Sequence, residues 1–169
     1  MRELLSKILV AEIDWKRLLR YALLLFLSLI TQNMLFTQLR IGGVCPMILP
    51  AAVVAVGMFS GPVWGAVFAL ILGLFADMAF VENTVLFTLL FPALSFAAAF
   101  LAQFFINRRF FAYMGAAALG LLATALVQML HTAAMDSFSL KMISTVLKQS
   151  FWSLPFAPLA YLPVARWSR

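Results

Sequence analysis

Four polar side chains that interrupt apolar stretches are the residues of this sequence that could do chemistry: Asn33, Asp77, Gln128 and His131. Gln128 and His131 share a predicted helix face with Thr124, because the three residues are spaced four and three positions apart. Such groups can bind a polar ligand, and an imidazole titrates near neutral pH. They can equally hydrogen-bond one another, since a polar group among apolar side chains needs a partner. The residues alone leave both alternatives open.

Catalytic and metal-binding patterns are not found in the sequence. His131 has no nucleophile paired with it, and the chain carries neither a glycine-rich phosphate loop nor two carboxylates placed for acid and base roles. Cys45 is the single cysteine and His131 the single histidine, so no group of residues has the spacing of metal ligands. We therefore expect a protein that is not an enzyme and that has no cofactor and no metal ion.

The composition decides which elements must position these residues. Of 169 residues, 65% are hydrophobic and 11% are charged, whereas soluble domains are about 45–50% apolar and about 25% charged. Soluble and disordered chains are thereby excluded. At about 20 residues per spanning helix, the length allows roughly six spans. The expected fold is an all-α integral membrane protein, a compact bundle of about six transmembrane helices.

Apolar runs between turn residues define the expected helices. Residues 1–20 have the helical spacing of an amphipathic interfacial segment, and residues 21–169 form one transmembrane domain. Prolines interrupt the second and sixth spans, so either could be a broken or tilted helix. The six predicted spans cover residues 21–39, 44–59, 63–80, 84–106, 110–130 and 143–165.

Basic residues predict the orientation. The formal net charge is +6, from 12 Lys and Arg against 6 Asp and Glu. With a cytoplasmic N-terminus, nine basic residues fall inside and three outside, namely Arg40, Lys141 and Lys148. This bias predicts a multi-pass protein with both termini in the cytoplasm. We therefore attribute the excess of basic charge to membrane topology. The expected partners of these basic residues are membrane lipids and not nucleic acid. On this topology Asn33, Asp77, Gln128 and His131 lie towards the outer side of the membrane, where we expect them to form one outer polar cluster.

Small residues line one face of the third predicted span. Gly61 and Pro62 predict a tight turn, after which Gly65, Ala69 and Gly73 lie four positions apart. Small residues at this spacing let another helix approach closely. The approaching helix could belong to this chain or to a partner. Asp77 continues the same face, either as a solvated helix-end residue or as a polar anchor or ligand contact.

The sequence resembles the rod-shape-determining MreD family in the run SGPVWGAVFALILGLFAD of its third span. It also shares a short basic start, a proline-bearing second span and six spans in all. The motif-level match is carried by Gly61, Pro62, Gly65, Gly73 and Asp77. Members of that family often have an acidic residue directly after the first proline of the second span. Met47 follows Pro46 here, so no role of that acid is transferred.

The resemblance implies a component of the bacterial cytoplasmic (inner) membrane that belongs to the cell-elongation complex. Its implied partners are MreC-like, RodA-like and transpeptidase proteins of peptidoglycan synthesis. The same run is also similar to substrate-binding S-components of energy-coupling-factor vitamin transporters. This similarity implies the alternative function, a component for vitamin uptake. Residues 21–39 lack the Ala-x-x-x-Ala pattern common there. We therefore expect no small-molecule ligand, and we expect Asp77→Asn to cost about 1 kcal/mol or less.

Overall fold

The computed structural model describes residues 15–36, 38, 44–79, 85–104, 110–135 and 140–167, and their secondary structure is almost entirely helical. The elements in chain order are α1 (Trp15–Ile30) with a π-helical continuation (Thr31–Phe36), α2 (Leu49–Ser60), α3 (Pro62–Ala79), α4 (Leu86–Phe104), α5 (Phe110–Met135), α6 (Leu140–Ser153), a 3₁₀ turn (Leu154–Phe156) and α7 (Ala157–Trp167).

Three of these helices are long enough and apolar enough to cross a membrane, namely Pro62–Ala79, Leu86–Gln103 and Phe110–Ala134. Their outward faces carry large apolar side chains. On α3, for example, Val63, Val67 and Leu70 are all exposed. A surface of this kind is stable when lipid covers it. The fold is therefore that of a helical membrane protein.

The short helix α2 forms the core of the bundle. Every residue from Leu49 to Met58 is buried, and α3, α4, α5 and α7 surround the helix. Its sequence is rich in Ala and Val and contains Gly57, so neighbouring backbones can approach from several sides. At 12 residues and 1.5 Å of rise per residue, α2 is about 18 Å long, shorter than the hydrocarbon layer.

Two predicted spans are interrupted in the structure. The second was expected to run over residues 44–59, but the helix begins only at Leu49 and residues 44–48 are not helical. The sixth, expected over 143–165, is divided into α6, the 3₁₀ turn and α7. Pro158 has no N–H to donate to the Leu154 carbonyl, and the Ala157 N–H donates to it instead. This shorter bond gives the 3₁₀ geometry.

The described part of helix α1 crosses the boundary expected between the interfacial segment and the transmembrane domain. It covers Trp15–Ile30 and continues through residue 20 without a break. The first 14 residues of the expected interfacial segment lie outside the described residues.

Contacts at the helix ends show how neighbouring elements run. Tyr21, near the start of α1, hydrogen-bonds Ser60 at the end of α2. Gln32, beyond the end of α1, contacts Pro46 just before α2. The two helices are therefore antiparallel, and the non-helical segment 44–48 lies at the same end of the bundle as Gln32.

Candidate functional site

The structure describes all four polar residues singled out in the sequence. Asn33 is exposed on the π-helical stretch, and Gln128 and His131 are half-buried on α5. Asp77 is half-buried near the end of α3. Within the described part of the chain, no hydrogen bond joins any two of these four side chains. The arrangement therefore differs from a single cluster of mutually bonded polar groups.

Asp77 holds the first turn of the next helix. Its Oδ1 accepts a hydrogen bond from the Phe87 N–H at 3.0 Å. Its Oδ2 accepts from the Thr88 N–H at 2.8 Å and from the Thr88 hydroxyl at 2.6 Å. The first N–H groups of a helix have no partner within the helix and carry partial positive charge. The carboxylate thus supplies both partners and charge complementarity to the start of α4.

The segment 44–48 is held by a side chain from α1's continuation. Gln32 Nε2 donates to the Pro46 carbonyl at 3.2 Å, and Gln32 Oε1 accepts from the Ile48 N–H at 2.9 Å. Were the helix continued, the N–H of residue 50 would bond the Pro46 carbonyl, but residue 50 is proline and has none. Gln32, only 5% exposed, provides the missing donor. A non-helical backbone is stable at membrane depth only where protein surrounds it in this way.

Ser153, the last residue of α6, completes the support of the same segment. Its Oγ accepts from the Met47 N–H at 2.8 Å and donates to the Gln149 carbonyl at 2.6 Å. One buried hydroxyl therefore satisfies a free backbone donor of the segment and a carbonyl within α6. Together Gln32 and Ser153 bond residues 46, 47 and 48.

A small pocket lies beside this segment, between α5 and α6. It is a partly open cleft with essentially no space that a water-sized sphere could occupy, and Met47, Pro50 and Leu121 form part of its wall. Its polar lining consists of five neutral side chains, Thr124, Gln128, Gln149, Ser150 and Ser153, and we call this space the polar pocket. Sites for drug-sized molecules occupy about 300–1,000 Å³. The polar pocket has essentially no internal volume of this kind, so it holds no such molecule in this conformation.

Two of the five polar side chains of this pocket are bonded within the chain. The Thr124 hydroxyl donates to the Gly120 carbonyl at 2.8 Å, and Ser153 bonds segment 44–48. Ser150 differs, because its Oγ is buried and has no hydrogen-bond partner among the described residues. The pocket thus offers neutral hydrogen bonding, with no acid or base in its lining.

The small-residue face of α3 packs within the chain. A Cβ added to Gly73 would lie 2.5 Å from the Phe87 carbonyl oxygen of α4. One added to Gly65 would lie 2.5 Å from Ser95 Oγ and 2.8 Å from Gly57 Cα. Ala69, between them, is fully buried. The helices that approach this face are α4 and α2, so the face is already occupied.

The predicted turn before this face is present. Gly61 separates α2 from α3 and has a φ of +88°, in the region that favours glycine. Pro62 is the first residue of α3, where its missing N–H needs no partner in the helix. A single residue therefore reverses the chain between two helices.

Tyr113 joins three elements and was not singled out in the sequence. Its ring is fully buried, and its hydroxyl lies 3.1 Å from the Ala51 carbonyl oxygen and 2.9 Å from that of Ala157. The hydroxyl proton is therefore shared between the first turns of α2 and α7. A tyrosine on an apolar helix gives no sequence signal for such a role, because its partners are backbone atoms.

Neither Gln32 nor Ser153 is among the four candidate site residues selected from the sequence, although Gln32 carried a usable signal. A glutamine in an apolar span needs a partner, and Pro50 leaves a carbonyl without its usual donor. The described residues contain no group of three or more His, Cys, Asp or Glu placed to hold a metal ion. Comparison with models of protein families, with curated proteins and with solved structures gave no match for this chain.

Proposed function

We propose that this protein is a non-enzymatic component of the cell-elongation complex in the bacterial cytoplasmic membrane. It crosses the membrane six times with both termini in the cytoplasm, and it binds MreC-like, RodA-like and transpeptidase partners through helix faces and short loops. The resemblance of the Gly61-to-Asp77 run to the MreD family supports the identity of the complex. The nine-to-three distribution of basic residues supports the orientation.

One structural observation favours a scaffold over a solute-binding protein. The buried side chains of Gln32 and Ser153 bond residues 46–48 of the chain's own backbone, and the half-buried Asp77 bonds the start of α4. A solute would have to compete with these intramolecular bonds. Groups used in this way stabilise one conformation of the bundle, which is what a scaffold requires.

The alternative function is a substrate-binding component of a vitamin transporter. The polar pocket favours it, because Ser150 Oγ is buried there without a partner and Gln128 lines the same space. Against it, the polar pocket has essentially no space for even a water-sized sphere. The scaffold therefore remains the better-supported proposal.

Depletion in the host organism tests the choice. Loss of an elongation component should turn rod-shaped cells round, while growth on a limiting vitamin stays normal. The parent gene and the Gly115→Ala variant should restore shape, because Gly115 is exposed and nothing lies within 4 Å of an added Cβ. Cells that keep their shape but lose vitamin-dependent growth would instead establish the transporter function.

A further inference from the structure

Helix α6 presents an exposed polar row that no other described helix has. Lys141, Thr145, Lys148 and Trp152 follow one another at spacings of four, three and four, so they lie on one face, and all four are exposed. We call them the α6 basic strip. By contrast, the exposed faces of α3 and α5 carry large apolar residues such as Leu70 and Leu126.

The depth of the strip follows from how α6 packs on α5. Residues Thr124 and Gln128 of α5 line the polar pocket together with Ser153 and Gln149 of α6. The antiparallel helices therefore place Lys148 level with about residue 129. The apolar span of α5 runs over Phe110–Ala134, and its middle is near residue 122. At 1.5 Å per residue, Lys148 lies about 10 Å from the mid-plane.

The bilayer hydrocarbon is about 30 Å thick, so its boundary lies about 15 Å from the mid-plane. The Lys148 Cα is then about 5 Å inside the apolar layer, a distance that a lysine side chain can cover to reach the headgroups. Lys141 lies two helical turns further out. The strip therefore extends from the headgroup region at Lys141 to Trp152, which lies one turn deeper than Lys148 and about 5 Å from the mid-plane.

Lys148 has no ion-pair partner among the described residues, and its exposed side chain lies open to whatever surrounds α6. The neighbouring Ser144 hydroxyl is exposed as well and can donate a hydrogen bond. The Thr145 hydroxyl already donates to the Lys141 carbonyl at 3.0 Å. An ammonium and a hydroxyl donor at headgroup level match the phosphate oxygens of a lipid.

We infer that the α6 basic strip is a binding site for the headgroup of an anionic phospholipid, with the phosphate on Lys148 and Ser144. The acyl chains then lie along Leu147 and Phe151, which are 58% and 72% exposed on the adjoining face of α6. The inference needs α5 to cross the membrane, and it does not depend on the cell-shape function.

Trp152, one turn from Lys148, is a built-in probe of which lipid is adjacent. Replacing Trp15, Trp64 and Trp167 by Phe leaves Trp152 as the single tryptophan. The protein is reconstituted in phosphatidylcholine vesicles that contain either brominated phosphatidylglycerol or brominated phosphatidylcholine at equal bromine content. Bromine quenches tryptophan on contact, so excess quenching by the anionic lipid measures its local enrichment.

We expect enrichment of up to about fivefold, the effect of one basic residue at an anionic surface. Lys148→Arg should keep the enrichment and Lys148→Gln should remove it. Arg20→Gln, which removes an exposed charge near the start of α1, should leave it unchanged. Equal quenching by the two lipids in the parent would overturn the inference. Equal quenching is also the result expected if the strip instead binds a carboxylate of a partner helix. Loss of enrichment in Arg20→Gln would show that the enrichment depends only on the net charge of the protein. That result would also overturn the inference.

Native mass spectrometry of the chain with all four tryptophans retained gives a second measurement that needs no Phe substitutions. Phosphatidylglycerol should remain bound to the parent and to Arg20→Gln more than to Lys148→Gln. Equal retention by Lys148→Gln and the parent would contradict the site. Because Lys148 is exposed, the Gln variant should have the parent's melting temperature. An unchanged melting temperature would show that the lipid is lost because the Lys148 contact is lost and not because the protein unfolds.

Discussion

Single polar side chains of this bundle replace backbone hydrogen bonds that proline removes. Gln32 is the clearest case, since one amide group donates to the Pro46 carbonyl and accepts from the Ile48 N–H. A hydrogen bond across a membrane bundle contributes about 0.6 kcal/mol on average, but a buried backbone group left without a partner costs about 1–3 kcal/mol. Gln32 therefore stabilises the protein mainly by giving these two backbone groups their hydrogen-bond partners.

Replacing Gln32 by leucine tests this role. Gln32→Leu keeps the size of the side chain but leaves both backbone groups of segment 44–48 without their partner, so the free energy of unfolding should fall by about 2 kcal/mol. Gln38→Leu is the matched control, because Gln38 is exposed. Thermal unfolding in detergent measures both variants. Equal melting temperatures for the two would show that the segment does not depend on Gln32.

Asp77 should be less tolerant of substitution than its sequence position indicates. Asp77→Asn leaves one acceptor oxygen where the structure uses two, so either the Phe87 N–H or the Thr88 donors would face an amide NH₂. We expect a loss of about 1–3 kcal/mol, above the 1 kcal/mol or less expected from sequence. Thr88→Val removes only the hydroxyl donor and should cost less. A variant Asp77→Asn as stable as the parent would show that α4 does not need this carboxylate.

At the scale of the element, close helix approach depends on glycines of α3. Gly73→Leu would force a side chain against the Phe87 backbone, which lies 2.5 Å from the added Cβ. Overpacking of this kind costs about 1–3 kcal/mol or more, so the variant should lose stability or fail to accumulate. Gly115→Ala on α5 meets nothing within 4 Å and should be neutral or stabilising by up to about 1 kcal/mol. If Gly73→Leu accumulated and melted like the parent, α3 and α4 would not pack as described.

Long apolar helices could be predicted from the sequence because their signal is local. Residues 63–80 were expected where α3 covers Pro62–Ala79, and residues 84–106 where α4 covers Leu86–Phe104. Prolines marked the places where the second and sixth spans would be irregular. The positions of the prolines did not predict where the helices begin and end. The start of α2 at Leu49 depends on hydrogen bonds from Gln32 and Ser153, which come from other parts of the chain.

The candidate site was less predictable than the helices for the same physical reason. Periodicity places Thr124 and Gln128 on one face of α5, and both do line the polar pocket. Periodicity does not give the partner of a polar side chain when that partner is backbone. Asp77 was therefore grouped with Gln128 and His131, whereas its partners are Phe87 and Thr88 in the next helix.

At the scale of the whole molecule, the distribution of basic residues predicts one orientation. Six crossings with cytoplasmic termini should place a reporter fused after Arg169 in the cytoplasm, and one inserted in the loop that contains Arg40 outside it. The paired activities of an alkaline phosphatase and a fluorescent reporter at each position provide the measurement. An Arg169 fusion that is active only outside the cytoplasm would rule out six crossings from a cytoplasmic N-terminus.

We propose that the polar groups which support this bundle, Gln32, Asp77 and Ser153, serve its own backbone and that the bundle holds no transported solute. Native mass spectrometry of the protein, purified from cells grown in rich medium, tests it most directly. We predict that no water-soluble compound remains bound in a one-to-one ratio, and that added vitamins do not raise the melting temperature by mass action. A stoichiometric vitamin that is released by Gln128→Leu or Ser150→Ala would contradict the account and identify the polar pocket as a substrate site.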